Sequence, residues 1–221
     1  MRKYLPHLFV LMVLALATAT GLHGVLRDAS IDFRFNQFRR DAQAGIVLVE
    51  IDAASIERAG AWPWPRQLHA DLLGKLAEAG VADIVFDVDF SSAAQPASDA
   101  AFADALRTAG GSVVLPLFRQ RASDNGPDQS IHVTGPLPIF ARHSWPATVT
   151  VAAEPDGLVR RYGFGDRLGD QFVPSMGAML AGKFDETAAP FWIDFSIRAR
   201  SVPTVSYHLV LAGDCPDRID R

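Results

Sequence analysis

From Tyr4 to Leu26 the chain runs for 23 residues without an Asp, Glu, Lys or Arg. As a helix, that length crosses a hydrocarbon core of roughly 30 Å. Arg2 and Lys3 stand before the run, and Arg27 and Asp28 close it. All 25 acidic residues follow the run, with 19 of the 21 basic ones. Positive charge before an apolar span and negative charge after it place the N-terminus inside and the remainder outside. Pro6 falls in the first turn, where its missing N–H costs little. A cleavable signal peptide is the rival, since Ala17-Thr18-Ala19 supplies small residues at the right spacing. Both readings carry residues 27–221 across the membrane. The expected organisation is a cytoplasmic tip and transmembrane helix over 1–26 and one extracytoplasmic domain over 27–221, single-pass in a bacterial inner membrane.

Composition narrows the remainder. A net acidic domain lacks the basic stripe that nucleic acid requires. Hydrophobic residues at 49% exclude global disorder. The single cysteine, Cys215, excludes a disulfide framework and a multi-cysteine metal site. The six His show no paired ligand spacing, and no cofactor is indicated.

Leu26, Ile31, Phe35 and Phe38 are spaced for a helix leaving the membrane and ending at Gly45. Ile46 to Ile51 (IVLVEI) has the β-branched apolar character of a buried strand. Ser55 to Ala59 suits a short helix. The block Trp62-Pro63-Trp64-Pro65 forms a stiff corner, because residues before proline avoid the α region. Leu68, Leu72, Leu73 and Leu76 give the next helix an apolar stripe, stopped by Gly80. Ile84-Val85-Phe86 is a strand, and strand–helix–strand reads as a right-handed crossover onto a parallel sheet. A helix capped by Ser98 or Asp99 runs through Phe102 and Leu106 to Gly110, and Ser112 to Phe118 forms a third strand. In the second half, Thr148–Ala152 and Leu158–Phe164 flank the turn Glu154-Pro155-Asp156-Gly157 and predict a hairpin. Val173–Ala181 and Tyr207–Ala212 read as short helices, and Phe191–Phe195 as a strand. The fold class is α/β: a mixed, largely parallel sheet flanked by helices, with a hairpin-rich second half.

The series Asp32-Phe-Arg-Phe, Ile46-Val-Leu-Val-Glu-Ile-Asp, Trp62-Pro-Trp-Pro-Arg66 and Phe86-Asp-Val-Asp-Phe90 resembles the type-two CHASE domain, an extracytoplasmic sensory domain of bacterial membrane receptors. Asp156-Gly-Leu-Val-Arg-Arg161, Val173-Pro-Ser-Met176 and Pro203-Thr-Val-Ser-Tyr207 continue the resemblance in the same order. It implies a sensor without catalytic residues of its own, answering an unidentified small extracellular signal and working as a homodimer in the full-length receptor. It also implies three further transmembrane helices and a cytoplasmic output such as a cyclic-di-GMP cyclase and phosphodiesterase pair, an adenylate cyclase or a kinase. The family usually continues past Gly213 toward the membrane, whereas this sequence stops at Arg221, so a truncated or divergent end is expected and the output module is absent.

Asp52, Asp87 and Asp89 follow strands, where open α/β sheets bind ligands. Together they can meet a cation such as Mg²⁺ or Ca²⁺ or a cationic ligand; alternatively Asp52 caps the Ser55 turn and the others order loops. Trp62 and Trp64 are an aromatic wall over such a site or a packed corner. Arg66 opens a helix, where a cation opposes the dipole, so an acidic partner at Asp87 or Asp89 is expected. These six residues are the candidate ligand contacts. Arg160 and Arg161 alternate along a strand, so one should face solvent. Two other readings stay open. Asp87-Val-Asp-Phe-Ser91 with Gly165-Asp-Arg-Leu-Gly-Asp170 mimics a haloacid-dehalogenase-like Mg²⁺-dependent phosphatase, although no lysine lies between the motifs. A released periplasmic binding domain is the other.

Overall fold

A computed structural model of the chain describes residues 7, 9–12, 15–16, 22–43, 45–121 and 131–214. About half of the 4–26 span lies outside these residues, as do Ala17–Ala19, Cys215 and the 217–221 tail. Among the described residues, no helix is long and apolar enough to cross a membrane. The chain divides into two compact units, residues 1–44 with 194–202 and residues 45–193 with 203–221.

In the smaller unit, helix α1 spans Leu22–Gln37. It ends eight residues before Gly45, the expected stop. The cause is a competing use of the backbone. Arg40 N donates to Ser196 O at 3.0 Å, Arg198 N donates to Arg40 O at 2.9 Å, and Arg40 bridges Ile197 in parallel. Side chains reinforce the seam. Arg40 pairs with Asp194 at 2.7 Å, Arg198 with Asp41 at 2.8 Å, and Phe35 meets Phe195 edge to face. The expected strand over Phe191–Phe195 therefore stops early, and residues 194–202 form a strap with a 3₁₀ turn over Ala199–Ser201.

In the larger unit the elements are β1 (Leu48–Glu50), α2 (Ala53–Ala59), α3 (Arg66–Glu78), β2 (Ile84–Val85), α4 (Pro96–Thr108), β3 (Val113–Arg121), β4 (Ile131–Thr134), α5 (Pro138–Ala141) and β5 (Trp145–Thr148). They continue as β6 (Arg161–Tyr162), β7 (Gly165–Leu168), β8 (Gln171–Pro174), α6 (Met176–Leu180), β9 (Phe191–Trp192), β10 (Thr204–Ser206) and α7 (Tyr207–Ala212). β3 is the axis of the main sheet, parallel to β2 and β5 and antiparallel to β4 at its far end. The parallel crossover is the β2–α4–β3 passage, one unit further along the chain than the expected 46–51 to 84–86 passage.

Two expectations about pairing are corrected. β1 does not share a ladder with β2; it pairs in parallel with β10, Leu48 opposite Thr204 and Glu50 opposite Ser206. The two flanks of the Glu154–Gly157 turn do not pair with each other either. The turn itself is present, with Gly157 N donating to Glu154 O at 2.8 Å. Thr148 belongs instead to β5 beside β3, and β6 pairs antiparallel with β9. The hairpin in this half is β7–β8, turning at Gly169.

The core forms where the stripes of α3 and α4 meet β2 and β3. Leu72, Leu73 and Leu76 pack with Phe86, Phe102, Leu106, Val113 and Leu115, and Val49 and Ile51 lean on the same cluster. Phe90 stacks on Phe102 at 4.7 Å, and Phe140 closes edge-on at 5.1 Å from Phe102. Each such side chain contributes roughly 1.5–3 kcal/mol on leaving water. α3 begins after Pro65, which offers no side-chain cap. Its first-turn donor, Gln67 N, is met at 2.8 Å by Ser98 Oγ from α4.

Candidate functional site

The acidic strand ends come first. Asp52 is the N-cap of α2: Oδ1 accepts from Ser55 N at 2.8 Å and from Ser55 Oγ at 2.6 Å. Oδ2 accepts from the Ser206 hydroxyl at the end of β10. Those hydroxyls, Ser206 first and then Ser55, with the Ser55 N–H, stabilise the carboxylate and hold its pKa at about 2. His208 Nδ1 stands 3.1 Å from Ser55 Oγ and 3.9 Å from Asp52 Oδ1. A hydrolytic triad needs histidine to bridge acid and serine through its two ring nitrogens. Here one nitrogen addresses both, and Ser55 is fully buried. The group closes a helix cap onto a strand. The reading of Asp52 as the cap of the Ser55 turn holds, and sequence reasoning missed Ser206 and His208 as its further partners. The Pro203–Tyr207 motif carried the only signal.

Arg66 departs from expectation. Its guanidinium is buried, yet Nη2 donates to the carbonyl oxygens of Asp89 and Ser92 at 3.3 and 3.4 Å, with Cζ 4.7 Å from the Phe90 ring centre. It makes no ion pair with Asp87 or Asp89. The carboxylates have turned outward: both residues are exposed, and Asp89 Oδ1 accepts from Ser91 N at 2.8 Å. Turned outward they stay solvated, and they do not need the guanidinium that holds the loop below them. Among the described residues, no group of three or more His, Cys, Asp or Glu is placed to hold a metal ion.

The tryptophan corner divides by burial. Trp64 is buried, donates Nε1–H to Gly60 O at 2.8 Å and packs 4.9 Å from Tyr207. Trp62 is 44% exposed, stands 5.3 Å from Trp64 and joins Pro63 through a cis peptide. Beneath them His69 is fully buried, 2.8 Å from the Tyr207 hydroxyl through Nδ1. That hydroxyl is also 3.1 Å from Leu68 O. A carbonyl only accepts, so the hydroxyl donates to it and receives the proton of Nδ1. Burial, followed by the charge of Arg66, lowers the His69 pKa to about 4.

Arg160 is buried and Arg161 exposed, as alternation predicts, and both reach carboxylates. Arg160 meets Asp156 at 2.7 Å and Glu154 at 3.4 Å, and Arg161 meets Glu154 at 2.8 Å. Glu154 thus receives both guanidiniums, and Asp156 adds a second partner to Arg160. Gly165–Asp170 is β7 with the hairpin turn, and its Asp166 is engaged at 3.0 Å by Arg119.

Concave surface lies away from the acidic strand ends. One hollow of about 720 Å³ is bounded by β5, the β7–β8 hairpin and α6, with Trp145, Phe172, Leu180 and Phe184 in its wall and Asp83 and Gln171 among its polar groups. Trp145 also borders a hollow of about 420 Å³ with Arg107 and Arg142. A third, of about 440 Å³, is lined by Arg119, Glu154, Arg161 and Asp166, whose charges are already paired.

The fold and these surfaces define a mixed α/β domain that presents hollows for recognition. The family profile of the CHASE2 domain matches residues 8–221, and the chain belongs to that family. CHASE2 is a sensory family found outside the cytoplasmic membrane, as a domain of membrane receptors. Comparison with curated proteins and with solved structures finds no significant match.

Proposed function

We propose that this chain is the extracytoplasmic sensor of a bacterial membrane receptor, attached by residues 4–26 and without catalytic activity of its own. The observation that carries the reading is the CHASE2 match over 8–221, joined to an uncharged span that precedes the acidic domain. The output, a cyclic-di-GMP enzyme pair, an adenylate cyclase or a kinase, belongs to segments beyond this sequence. Alkaline phosphatase fused after Arg221 is expected to be active, and a cytoplasmic reporter at the same point silent. The reverse pattern overturns the topology, and a processed N-terminus at Thr20 overturns the anchor.

Signalling would run through a pair of copies. Leu26 and Phe33 are exposed on α1 seven residues apart, the spacing of one helix seam. In membranes, Phe33→Cys in a Cys215→Ser background should crosslink to dimer. Failure to crosslink under oxidant would count against the pairing.

A further inference from the structure

We propose that the hollow between β5, the β7–β8 hairpin and α6 binds a small organic cation with an apolar body. Its volume, about 720 Å³, lies within the range of small-molecule sites. Trp145 is 58% exposed, Phe184 59% and Leu180 41%. Large apolar side chains gathered on one concave surface mark recognition more often than chance exposure.

Charge selects the ligand class. Asp83 is the sole formally charged residue in the lining, and no Lys, Arg or His accompanies it. It is exposed and makes no ion pair among the described residues. An anion entering the hollow would meet one carboxylate and no compensating donor. A cation would meet that carboxylate together with the faces of Trp145, Phe172 and Phe184, whose π-systems attract positive charge. An apolar neutral molecule would fit the wall but would crowd a carboxylate that needs solvation.

The strand that carries Trp145 is in place before a ligand arrives. Trp145 is registered against Val114 by the β3–β5 ladder. Its Nε1 lies 3.6 Å from where a Cβ on Gly111 would stand, and Gly111 has φ +92. The indole thus lies beside a turn whose positive φ favours glycine. A strand already in place lowers the ordering cost of binding. The inference gives the sensory reading a ligand class and takes its physiological meaning from that reading. The hollow is tested by binding and the topology by reporter fusions, so either can fail alone.

The test uses the 221-residue chain in a neutral maltoside detergent, titrated with benzyltrimethylammonium and, as an anion of similar size, phenylacetate. Calorimetry and tryptophan fluorescence read affinity, and thermal melts confirm that each variant is folded. The cation is expected to saturate, with phenylacetate at least about tenfold weaker. Asp83→Asn should weaken the cation by about fivefold, as expected for one water-exposed charge about 4 Å away, and Trp145→Leu by about tenfold. Should Trp145→Leu fail to fold, Phe184→Ala replaces it, with a loss of about threefold expected. Equal binding of phenylacetate, indifference to Asp83→Asn or absence of cation binding overturns the proposal. So does a dimer that Trp145→Asp dissociates, because a second copy would then cover this wall.

Discussion

His69 shows what one buried side chain can impose. Phe86, Phe90 and Phe102 surround it with rings 5.4 to 6.1 Å away, and its Nε2 has no hydrogen-bond partner. The folded pKa, about 4, lies below the ordinary 6.5. Between those values the unfolded chain binds a proton that the native imidazole refuses. Stability is therefore present above pH ~6.5 and lost as pH falls toward 4, by on the order of 3 kcal/mol. His69→Phe should flatten this slope in urea midpoints taken at pH 7, 5.5 and 4.5. An unchanged slope would assign the titration elsewhere. Asp52 acts in a lower window. Its pKa of about 2 is below the ordinary 3.8, so its stabilisation is present above pH ~4 and lost as pH falls through 2. Asp52→Asn keeps an acceptor for the Ser55 N–H and should lower Tm less than Asp52→Ala, which empties the cap. Equal losses would mean that the charge, and not the acceptor, is what α2 uses.

At the scale of elements, two contacts separate packing from local propensity. Ser98 Oγ supplies the cap that Pro65 cannot, so Ser98→Ala should destabilise α3 by about 1–2 kcal/mol although it alters α4. Chemical denaturation measures it, and a loss below about 0.3 kcal/mol would show that water serves Gln67 N equally well. Gly165 is glycine for space. A Cβ there would stand 2.3 Å from Val173 O and 2.6 Å from Phe172 Cζ. Gly165→Ala should therefore cost about 2 kcal/mol or more by forcing β7 from β8, and near-neutral stability would contradict the hairpin. Helices α2, α3, α4 and α7 were legible because 3.6-residue stripes, prolines and stop glycines are local signals. α1 was over-extended because its end is decided by the 194–202 strap. Of the short strands, β1, β2, β6 and β9 were legible, whereas β4, β7, β8 and β10 were not, and neither β1–β10 nor β6–β9 leaves a pairing signature in either segment alone.

For the whole molecule, fold class and family were readable from ordered motifs, as were the cap at Asp52 and the packed corner at Trp64, while the partner of Arg66 was not. Trp64, Arg66 and Asp52 stand out in sequence, and in the structure all three work on the interior: a hydrogen-bonded ring, a guanidinium holding a loop, a helix cap. The residues facing the 720 Å³ hollow are mostly scattered Trp, Phe, Leu and Gln positions, and only Val173 and Pro174 among them belong to a family motif. Recognition surfaces assembled from several short elements have no contiguous spelling, and only tertiary packing reveals them.

The parallel pairing of β1 with β10 is locked by Ser206 on Asp52, 154 positions away in the chain. Contacts so distant in sequence form late, because a long loop must close before they contribute. A chain emerging N-terminus first would show β1 as an unsatisfied edge until residue 206 had cleared the channel. The domain thus carries its own completion signal: the first strand waits for the last.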